Sequence, residues 1–263
     1  MVIADLHVHT TNSDGQLSFA DLPAAAKEAG LEVIAVTDHD RIHPQIDAPV
    51  IVRDGVTIIH GIELRVQADD LRVDLLGLGV SPTAELQAEC DRLGADRIQR
   101  AQSIIACIEQ RLNVKLNIEL SEKVGRPHIA RAVVEHAETV YETEQAVFDE
   151  LIGRDCPCYR SRSVPTFEQG VALLKDACAI VGLAHPFRYS DPQAALKLAV
   201  ELDGVEREYP YDSSVDVSEV DKIINDYELL ALGGSDAHGK RLGKTGLTAK
   251  QYATVAERLP DSN

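Results

Sequence analysis

Positive charge is scarce in this sequence, and lysine is especially rare. The 263 residues include 17 Arg and 9 Lys against 43 Asp and Glu, which gives a formal net charge of −17. A surface this acidic repels phosphate backbones and anionic lipid headgroups, so a large nucleic-acid or membrane footprint is disfavoured. The counts remain compatible with a small basic pocket.

Long apolar runs and a secretory start are also absent. No apolar stretch reaches about 18 residues, and the first residues lack the basic and apolar regions of a signal peptide. The five cysteines are odd in number and irregular in spacing, which argues against a disulfide framework. We therefore predict a cytoplasmic protein with unpaired thiols, in which Cys156-Pro157-Cys158 is only a weak zinc signal.

Short apolar segments recur along the chain, and helical patterns such as 18–29 separate several of them. Segments that are apolar on both faces are typical of parallel strands buried on both sides, and a parallel barrel gathers its functional groups at the carboxyl ends of its strands. The predicted strands are 2–4, 33–36, 56–63, 72–78, 179–184, 205–206 and 229–234.

A long interruption divides this pattern. Residues 83–112 read as one long helix, shorter helical candidates follow, and no barrel-type strand appears before residue 179. We predict a barrel formed by residues 1–82 and 166–263, with residues 83–165 as a helical insertion that covers it as a lid.

The first strand ends in Asp5-Leu6-His7-Val8-His9. Because side chains alternate along a strand, Asp5, His7 and His9 are expected to share one face. Two imidazoles at this spacing can grip a metal ion together. Asp5 is expected to orient one of the rings from behind.

The other predicted strand ends carry the same types of residue. Carboxylates and imidazoles crowded into one barrel mouth require divalent cations to offset their burial and repulsion. Mixed ligands of this kind favour Mn²⁺, Fe²⁺ or Zn²⁺, and their number implies two or three ions. Clustered ions activate water and clamp phosphoryl oxygens. These strand-end residues are Asp14, Asp38, His39, Glu63, Asp74, His185, Asp236 and His238.

Five ordered motifs resemble those of the PHP (polymerase and histidinol phosphatase) superfamily. They are Asp5-x-His7-x-His9, Thr37-Asp38-His39, Gly61-Ile62-Glu63, Ala184-His185-Pro186 and Gly234-Ser235-Asp236-Ala237-His238. Two further segments resemble the subfamily of nucleotide 3′,5′-bisphosphate phosphatases and 5′-to-3′ exoribonucleases. They begin at Gly125-Arg126-Pro127-His128 and at Ala184-His185-Pro186-Phe187-Arg188.

The resemblance implies an α/β fold, a distorted (βα)₇ TIM-like barrel with a helical insertion. It also implies a phosphoesterase that uses metal-activated water on nucleotides or short oligonucleotides. In the ligand sets that it implies, His7, His9, Glu63 and Asp236 hold one ion, Glu63 and His185 a second, and Asp14, His39 and His238 a third. The residues that it assigns to the substrate phosphate are Arg126, His128 and Arg188.

Asp74 departs from the subfamily pattern, which usually has a histidine at this position. A lone carboxylate in an apolar strand is costly to bury, and a nearby cation offsets that cost. We predict that Asp74 ligates or closely neighbours the second ion. The alternative is that Asp74 pairs with an arginine such as Arg65 or Arg72 at the rim of the barrel.

Three other functions are compatible with parts of the pattern. A histidinol-phosphate-type phosphatase would share the barrel motifs, but the insertion at Arg126 argues against it. A metal-dependent amidohydrolase also gathers histidines at barrel strand ends, but its bridging lysine has no counterpart at a predicted strand end. A metal-retaining module without activity is the third, and the intact set of ligand residues argues against it.

The acidity of the chain predicts a dependence of stability on salt. A net charge of −17 makes the compact state repel itself at low ionic strength, and salt screens that repulsion. The melting temperature should therefore rise markedly between dilute buffer and molar KCl, as measured by circular dichroism. A flat response would indicate an ordinary acidic protein with no adaptation to salt.

Overall fold

A computed structural model describes residues 1–212 and 214–262 of the chain. Within these ranges the chain forms two compact units. The first unit contains residues 1–90 and the residues from Val164 onwards. The second unit is Asp91–Ser163. Each unit has its own apolar core.

The first unit is built on one sheet. Its strands, within the described residues, are β1 (Val2–Val8), β2 (Val33–Val36), β3 (Val50–Arg53), β4 (Val56–Ala68), β5 (Leu71–Val80), β6 (Cys178–Leu183), β7 (Gly204–Glu208), β8 (Leu230–Gly233) and β9 (Leu247–Thr248).

The helices of both units are mostly short. They are α1 (Leu22–Glu28), α2 (Ala84–Leu112), α3 (Arg126–Glu135), α4 (Glu144–Val147), α5 (Phe167–Ala177), α6 (Pro192–Leu198), α7 (Ser218–Tyr227) and α8 (Ala249–Ala256). Helix α1 begins at Leu22 rather than at the predicted Ser18, with a proline in its first turn, where the missing N–H costs nothing. Over the described ranges, every helix is too short or too polar to cross a lipid bilayer.

The sheet curls into a nearly closed barrel. Its strand order is β8-β7-β6-β5-β4-β2-β1-β9, and β3 pairs with β4 at the side. A parallel bridge between Val8 and Ala237 links the end of β1 to the residues that follow β8. The predicted α/β barrel with a helical insertion is confirmed.

Strand β5 corrects the prediction of an all-parallel barrel. It runs antiparallel to both β4 and β6, whereas the β1–β2, β2–β4, β6–β7 and β7–β8 pairs are parallel. Its first residues therefore lie at the end of the barrel where the parallel strands finish. In this register Asp74 is opposite Arg65. The carbonyl oxygen of Asp74 accepts a hydrogen bond from the amide of Ala184.

The second unit contains a disulfide bond between Cys107 and Cys158, whose Cα atoms are 5.5 Å apart. The prediction of unpaired thiols was wrong for this pair. The two cysteines are 51 residues apart in sequence, and only the packing of α2 against the segment after α4 brings them together. Among the described residues, Cys90, Cys156 and Cys178 form no disulfide bond.

Gly234 marks a close approach between the two strands that meet at the barrel seam. A Cβ atom at this position would stand 2.4 Å from both the amide nitrogen and the Cβ of His7. Backbone atoms cannot move aside as a flexible side chain can. Only glycine therefore allows the segment after β8 to lie this close to β1.

Gly234→Ala should consequently destabilise the barrel by about 1–3 kcal/mol, the usual cost of overpacking. Gly239→Ala is the matched control, because a Cβ there meets nothing within 4 Å. It should change the free energy of unfolding by less than about 0.5 kcal/mol. Urea denaturation in chelator-containing buffer measures both. Equal free energies of unfolding for the two variants would show that the segment after β8 does not approach His7 this closely.

Candidate metal centre

The predicted ligands come from strand ends that the barrel brings to one mouth. His7 lies in β1, His185 follows β6, and Asp236 follows β8. Asp74 reaches the same mouth because β5 runs in the opposite direction. Within each of three groups, donor atoms lie within 4.8 Å of one another. The first group is His7, His9, Glu63 and Asp236, the second is Glu63, Asp74 and His185, and the outer group is His9, Asp14, His39 and His238.

The buried carboxylate of Glu63 joins these groups. Its Oε2 lies 2.7 Å from Nδ1 of His39 and 3.4 Å from Nε2 of both His7 and His9. Its Oε1 lies 2.9 Å from Nε2 of His185. The two oxygens of one carboxylate thus point at different sets of imidazoles, as a ligand that bridges two cations does.

Every member of the first group has a buried donor atom that makes no well-aligned hydrogen bond to another described residue, although imidazoles and carboxylates lie close to one another there. These atoms are Nε2 of His7, both ring nitrogens of His9, Oε2 of Glu63 and Oδ1 of Asp236. Leaving such an atom unsatisfied costs roughly 1–3 kcal/mol. Imidazole nitrogens and carboxylate oxygens are the ligands that divalent transition metals accept, so these residues fit a metal ion.

The pKa values of the histidines at the mouth also fit a bound metal ion. Burial lowers the pKa of His7, but the carboxylates of Glu206 and Glu63 outweigh it and raise that pKa well above its usual value. Burial also opposes protonation of His39, yet Glu63 raises its pKa to about 9. Burial lowers the pKa of His9. A bound divalent cation would replace these protons, because imidazoles bind metal in the neutral form.

The outer group is more open to solvent than the other two. The Asp14 side chain is 42% exposed, and its Oδ1 lies 3.4 Å from Nε2 of His238. The ring of His238 stacks on that of His9, with centroids 4.1 Å apart. An ion held here would be the most accessible one to solvent and to small ligands.

Asp74 belongs to the second group and also pairs with an arginine. Its Oδ2 lies 3.7 Å from Nε2 of His185. Nε and Nη2 of Arg65 each donate to the Asp74 carboxylate, both at 2.7 Å. The sequence left two alternatives open for Asp74, an arginine pair and a place at the second ion. The pair with Arg65 is present. The same carboxylate also lies beside His185, a predicted ligand of the second ion. Because Arg65 already offsets the buried charge of Asp74, a metal is not required for that purpose.

Glu206, a residue that sequence reasoning missed, holds two of the histidines. It is fully buried in β7, and its Oε1 lies 3.1 Å from Nδ1 of His7. Its Oε2 accepts a hydrogen bond from the amide of His185 at 2.8 Å. A carboxylate only accepts, so Nδ1 of His7 carries the proton and Nε2 is free to bind a metal. Functional groups were expected at the carboxyl ends of the strands, and Glu206 ends the predicted strand 205–206, so the same expectation would have identified it.

Asp5 is buried but does not orient an imidazole, so that prediction was wrong. Its Oδ1 accepts from the amide of Ser235 at 2.8 Å, and its Oδ2 accepts from the amide of Gly243 at 2.9 Å. The Ser235 hydroxyl also donates to Oδ2, at 2.5 Å. Asp5 therefore fastens the loop that carries Asp236 and His238.

Asp38 fastens the loop that carries Asp14. It accepts hydrogen bonds from the amide and the hydroxyl of Thr10, both at 2.8 Å, and from the hydroxyl of Ser13 at 2.6 Å. Asp38 is not a member of the three donor groups. As with Asp5, its carboxylate positions backbone and leaves metal binding to the neighbouring segment.

Two predicted ligands sit in strained backbone conformations. His185 has a φ of 29° and Asp236 a φ of 49°, in the left-handed region that residues other than glycine rarely adopt. Such strain persists only where surrounding contacts enforce it. Glu206 supplies such a contact at His185, and the loop held by Asp5 supplies it at Asp236.

Arg188 lies at the rim of the first group. Its Nη1 donates to Oδ2 of Asp236 at 2.8 Å, and the hydroxyl of Tyr209 donates to the same oxygen at 2.8 Å. The Arg188 side chain is 53% exposed. Its guanidinium is therefore both fixed by Asp236 and available to an anion from solvent.

Arg126 and His128, the other two predicted substrate residues, belong to the second unit. Arg126 stands over the ring of Phe148 and donates to the carbonyl of Ile152 at 3.2 Å. Nδ1 of His128 accepts from the amide of Gly125 at 3.1 Å and so caps α3. These contacts lie inside the second unit, and the roles of both residues at a substrate stay predictions.

Glu206→Gln should weaken the binding of divalent metal by about 10–100-fold, because it removes the charge that fixes the tautomer of His7. Glu208→Gln is the matched control on the same strand, since Glu208 pairs with Arg207. Isothermal titration calorimetry with Mn²⁺ on chelator-treated protein measures both affinities. Equal affinities would mean that Glu206 has no influence on the donor groups.

Three bacterial proteins are similar to this chain over most of its length. A phosphoribosyl 1,2-cyclic phosphate 1,2-diphosphodiesterase from Eggerthella lenta is 28% identical, over 91% of this chain and 95% of that protein. A 3′,5′-nucleoside bisphosphate phosphatase from Chromobacterium violaceum is 26% identical, over 72% and 68%. A 5′-3′ exoribonuclease, Rnm, from Escherichia coli is 27% identical, over 90% and 85%.

The fold has counterparts among solved structures and the sequence matches a known family. A crystal structure from Bifidobacterium adolescentis superposes with a TM-score of 0.75 at 24% identity, covering 98% of this chain and 96% of that chain. The PHP domain model matches residues 5–154, which is more than half of the 263 residues and includes the motifs around His7, His39 and Glu63. The chain belongs to the PHP domain family.

Proposed function

We propose that this chain is a metal-dependent phosphoesterase that hydrolyses phosphate esters of nucleotides or short oligonucleotides. The observation that carries the proposal is the shared carboxylate of Glu63, buried between two groups of ligand-type atoms. Neighbouring cation sites joined in this way suit the oxygens of a phosphoryl group undergoing in-line displacement. A site for a single structural ion would not need a second and a third group beside it.

The three donor groups would hold the ions, with Glu63 common to the first and second groups and His9 common to the first and outer groups. When bound, the ions supply the Lewis acidity that activates a water molecule and offsets charge on the phosphate. Arg188 adds a charge-assisted hydrogen bond to a phosphate oxygen. The Ser235 hydroxyl donates to Asp5, so it is not placed to act as a nucleophile, and no covalent intermediate is proposed.

Mixed histidine and carboxylate donors favour Mn²⁺, Fe²⁺ or Zn²⁺, and we propose two or three ions. The second group is the weakest of the three. It has a carboxylate where the subfamily usually has a histidine, and that carboxylate is already bound by Arg65. Its occupancy is therefore expected to be the most sensitive to metal concentration.

The names of the relatives and the net charge of the chain support the proposed substrate class. Two of the three relatives are named for nucleoside bisphosphates or RNA, which supports a nucleotide substrate. A net charge of −17 favours a small phosphorylated molecule over a long polyanion. We propose that Arg126, His128 and Arg188 bind its phosphate and that residues 83–165 act as the lid.

A sugar phosphate without a base is the second candidate substrate. The relative named for a phosphoribosyl cyclic phosphate matches 91% of this chain, against 72% for the nucleoside bisphosphate phosphatase. The amidohydrolase alternative finds less support, because none of the nine described strands contains a lysine that could bridge two ions.

The cytoplasm remains the proposed compartment of this chain. The prediction relied in part on unpaired cysteines, and the Cys107–Cys158 bond removes that part, because disulfides are rare in a reducing cytoplasm. Fractionation of cells that express the chain would decide the matter.

His9→Ala and Asp236→Ala should each abolish hydrolysis of a generic phosphomonoester and a generic phosphodiester in the presence of Mn²⁺. Both residues lie at strand ends in the donor groups and outside the apolar core, so the variants should still fold. His136→Ala is the control. His136 lies in the second unit and in no donor group, and this variant should keep the wild-type rate.

Circular dichroism on each variant separates loss of activity from loss of fold. Wild-type turnover by a folded His9→Ala or Asp236→Ala protein would contradict the proposed function. Loss of activity in His136→Ala to the same degree would show that the effect is not specific to the donor groups.

A further inference from the structure

Aromatic side chains are rare in this chain, yet three of them line one cavity in the first unit. The sequence has four Phe, seven Tyr and no Trp in 263 residues. Phe187, Tyr209 and Tyr211 line a cavity of about 470 Å³. Cavities of about 300–1,000 Å³ are the size that holds small-molecule ligands. So high a share of a scarce residue type in one cavity calls for an explanation other than general packing.

The two tyrosines of this cavity use their hydroxyl groups for contacts within the protein. The centroids of Tyr209 and Tyr211 are 4.7 Å apart, and those of Tyr211 and Phe187 are 5.5 Å apart with the planes at 78°. The hydroxyl of Tyr209 donates to Asp236, and the hydroxyl of Tyr211 accepts from the amide of Phe187 at 3.2 Å. With their polar ends bonded to protein, the half-buried rings offer apolar surface to the cavity.

The cavity adjoins the first donor group. Tyr209 and Arg188, which both line it, bind Oδ2 of Asp236. Oδ1 of the same carboxylate faces the imidazoles, 3.1 Å from Nε2 of His9. A molecule with a phosphate at the donor groups would therefore have the aromatic cavity next to it.

The charges around the cavity suit an anion that carries a flat apolar part. Arg188 and the exposed Lys244 place two cations on its lining, in a chain with a net charge of −17. Asp212 adds a carboxylate, which can accept a hydrogen bond from an amino group. Lys244 is exposed on the same lining, where its ammonium group can reach a second anionic group.

We infer that this cavity binds the base of a nucleotide, which stacks on Tyr211 while Lys244 binds a second phosphate. Stacking on aromatic side chains is the general way in which proteins bind bases without reading their sequence. The inference rests on the proposed function and narrows it to substrates that carry a base, against bare sugar phosphates. Tyr211 is then a specificity-determining residue.

The test compares two probes that differ only in the base: adenosine 3′,5′-bisphosphate and the same sugar bisphosphate with hydrogen in place of the base. The wild-type protein with Mn²⁺ should show a kcat/KM at least about tenfold higher for the base-bearing probe. Tyr211→Leu should reduce that ratio to within about threefold of unity. Tyr211→Phe keeps the ring and should retain the preference. Tyr227→Leu, at an exposed tyrosine on α7, should retain it as well.

Equal kcat/KM values for the two probes in the wild-type protein would overturn the inference, while their hydrolysis would leave the proposed function intact. A preference that survives Tyr211→Leu would also overturn it, because the base would then bind elsewhere. If neither probe is hydrolysed, calorimetry measures the dissociation constant of each probe. The ratio of the two dissociation constants is then judged by the same tenfold and threefold limits as the ratio of kcat/KM values. Failure to hydrolyse any phosphoester would count against the proposed function alone.

Discussion

The structure of the barrel mouth depends on one buried carboxylate, Glu63. Four imidazoles surround it, those of His7, His9, His39 and His185. Burying that many polar groups together is unfavourable unless each has a partner of opposite charge or a hydrogen bond. Protons on the imidazoles offset part of this cost, and divalent cations offset it more completely. The convergence of these strand ends therefore fits a divalent cation bound at the barrel mouth.

Buried carboxylates behind the donor groups hold this arrangement in place. Glu206 fixes the ring of His7 and the backbone of His185, Asp5 fastens the loop after β8, and Asp38 fastens the loop after β1. Each of these carboxylates contacts backbone amides or hydroxyls, which satisfies its buried oxygens. The donor side chains are therefore presented on segments held by several hydrogen bonds, and these contacts maintain the strained conformations at His185 and Asp236. Preorganisation of this kind leaves little to reorganise when a cation or a phosphate arrives.

Much of the fold and of the donor set could be predicted from the sequence because strands and their ends are local features. Apolar runs such as 33–36 and 179–184 predicted β2 and β6, and the polar residues after them predicted the mouth. The direction of β5, the Cys107–Cys158 bond and the Arg65–Asp74 pair depend on which distant segments meet, which no local pattern encodes. Glu206 was missed even though it could have been predicted. It ends the short predicted strand 205–206, where a local feature, the polar residue at a strand end, was enough to identify it.

Anomalous diffraction from a crystal soaked in Mn²⁺ tests the central claim most directly. It locates ions among the donor atoms without relying on turnover. A metal centre predicts peaks about 2.0–2.3 Å from donor atoms of the first and outer groups. At the second group it predicts a weaker peak, or none, because Arg65 remains bound to Asp74. A well-ordered barrel in which Glu63 and Asp236 contact only imidazoles, with no manganese peak at the mouth, would contradict the claim that this chain binds catalytic metal ions.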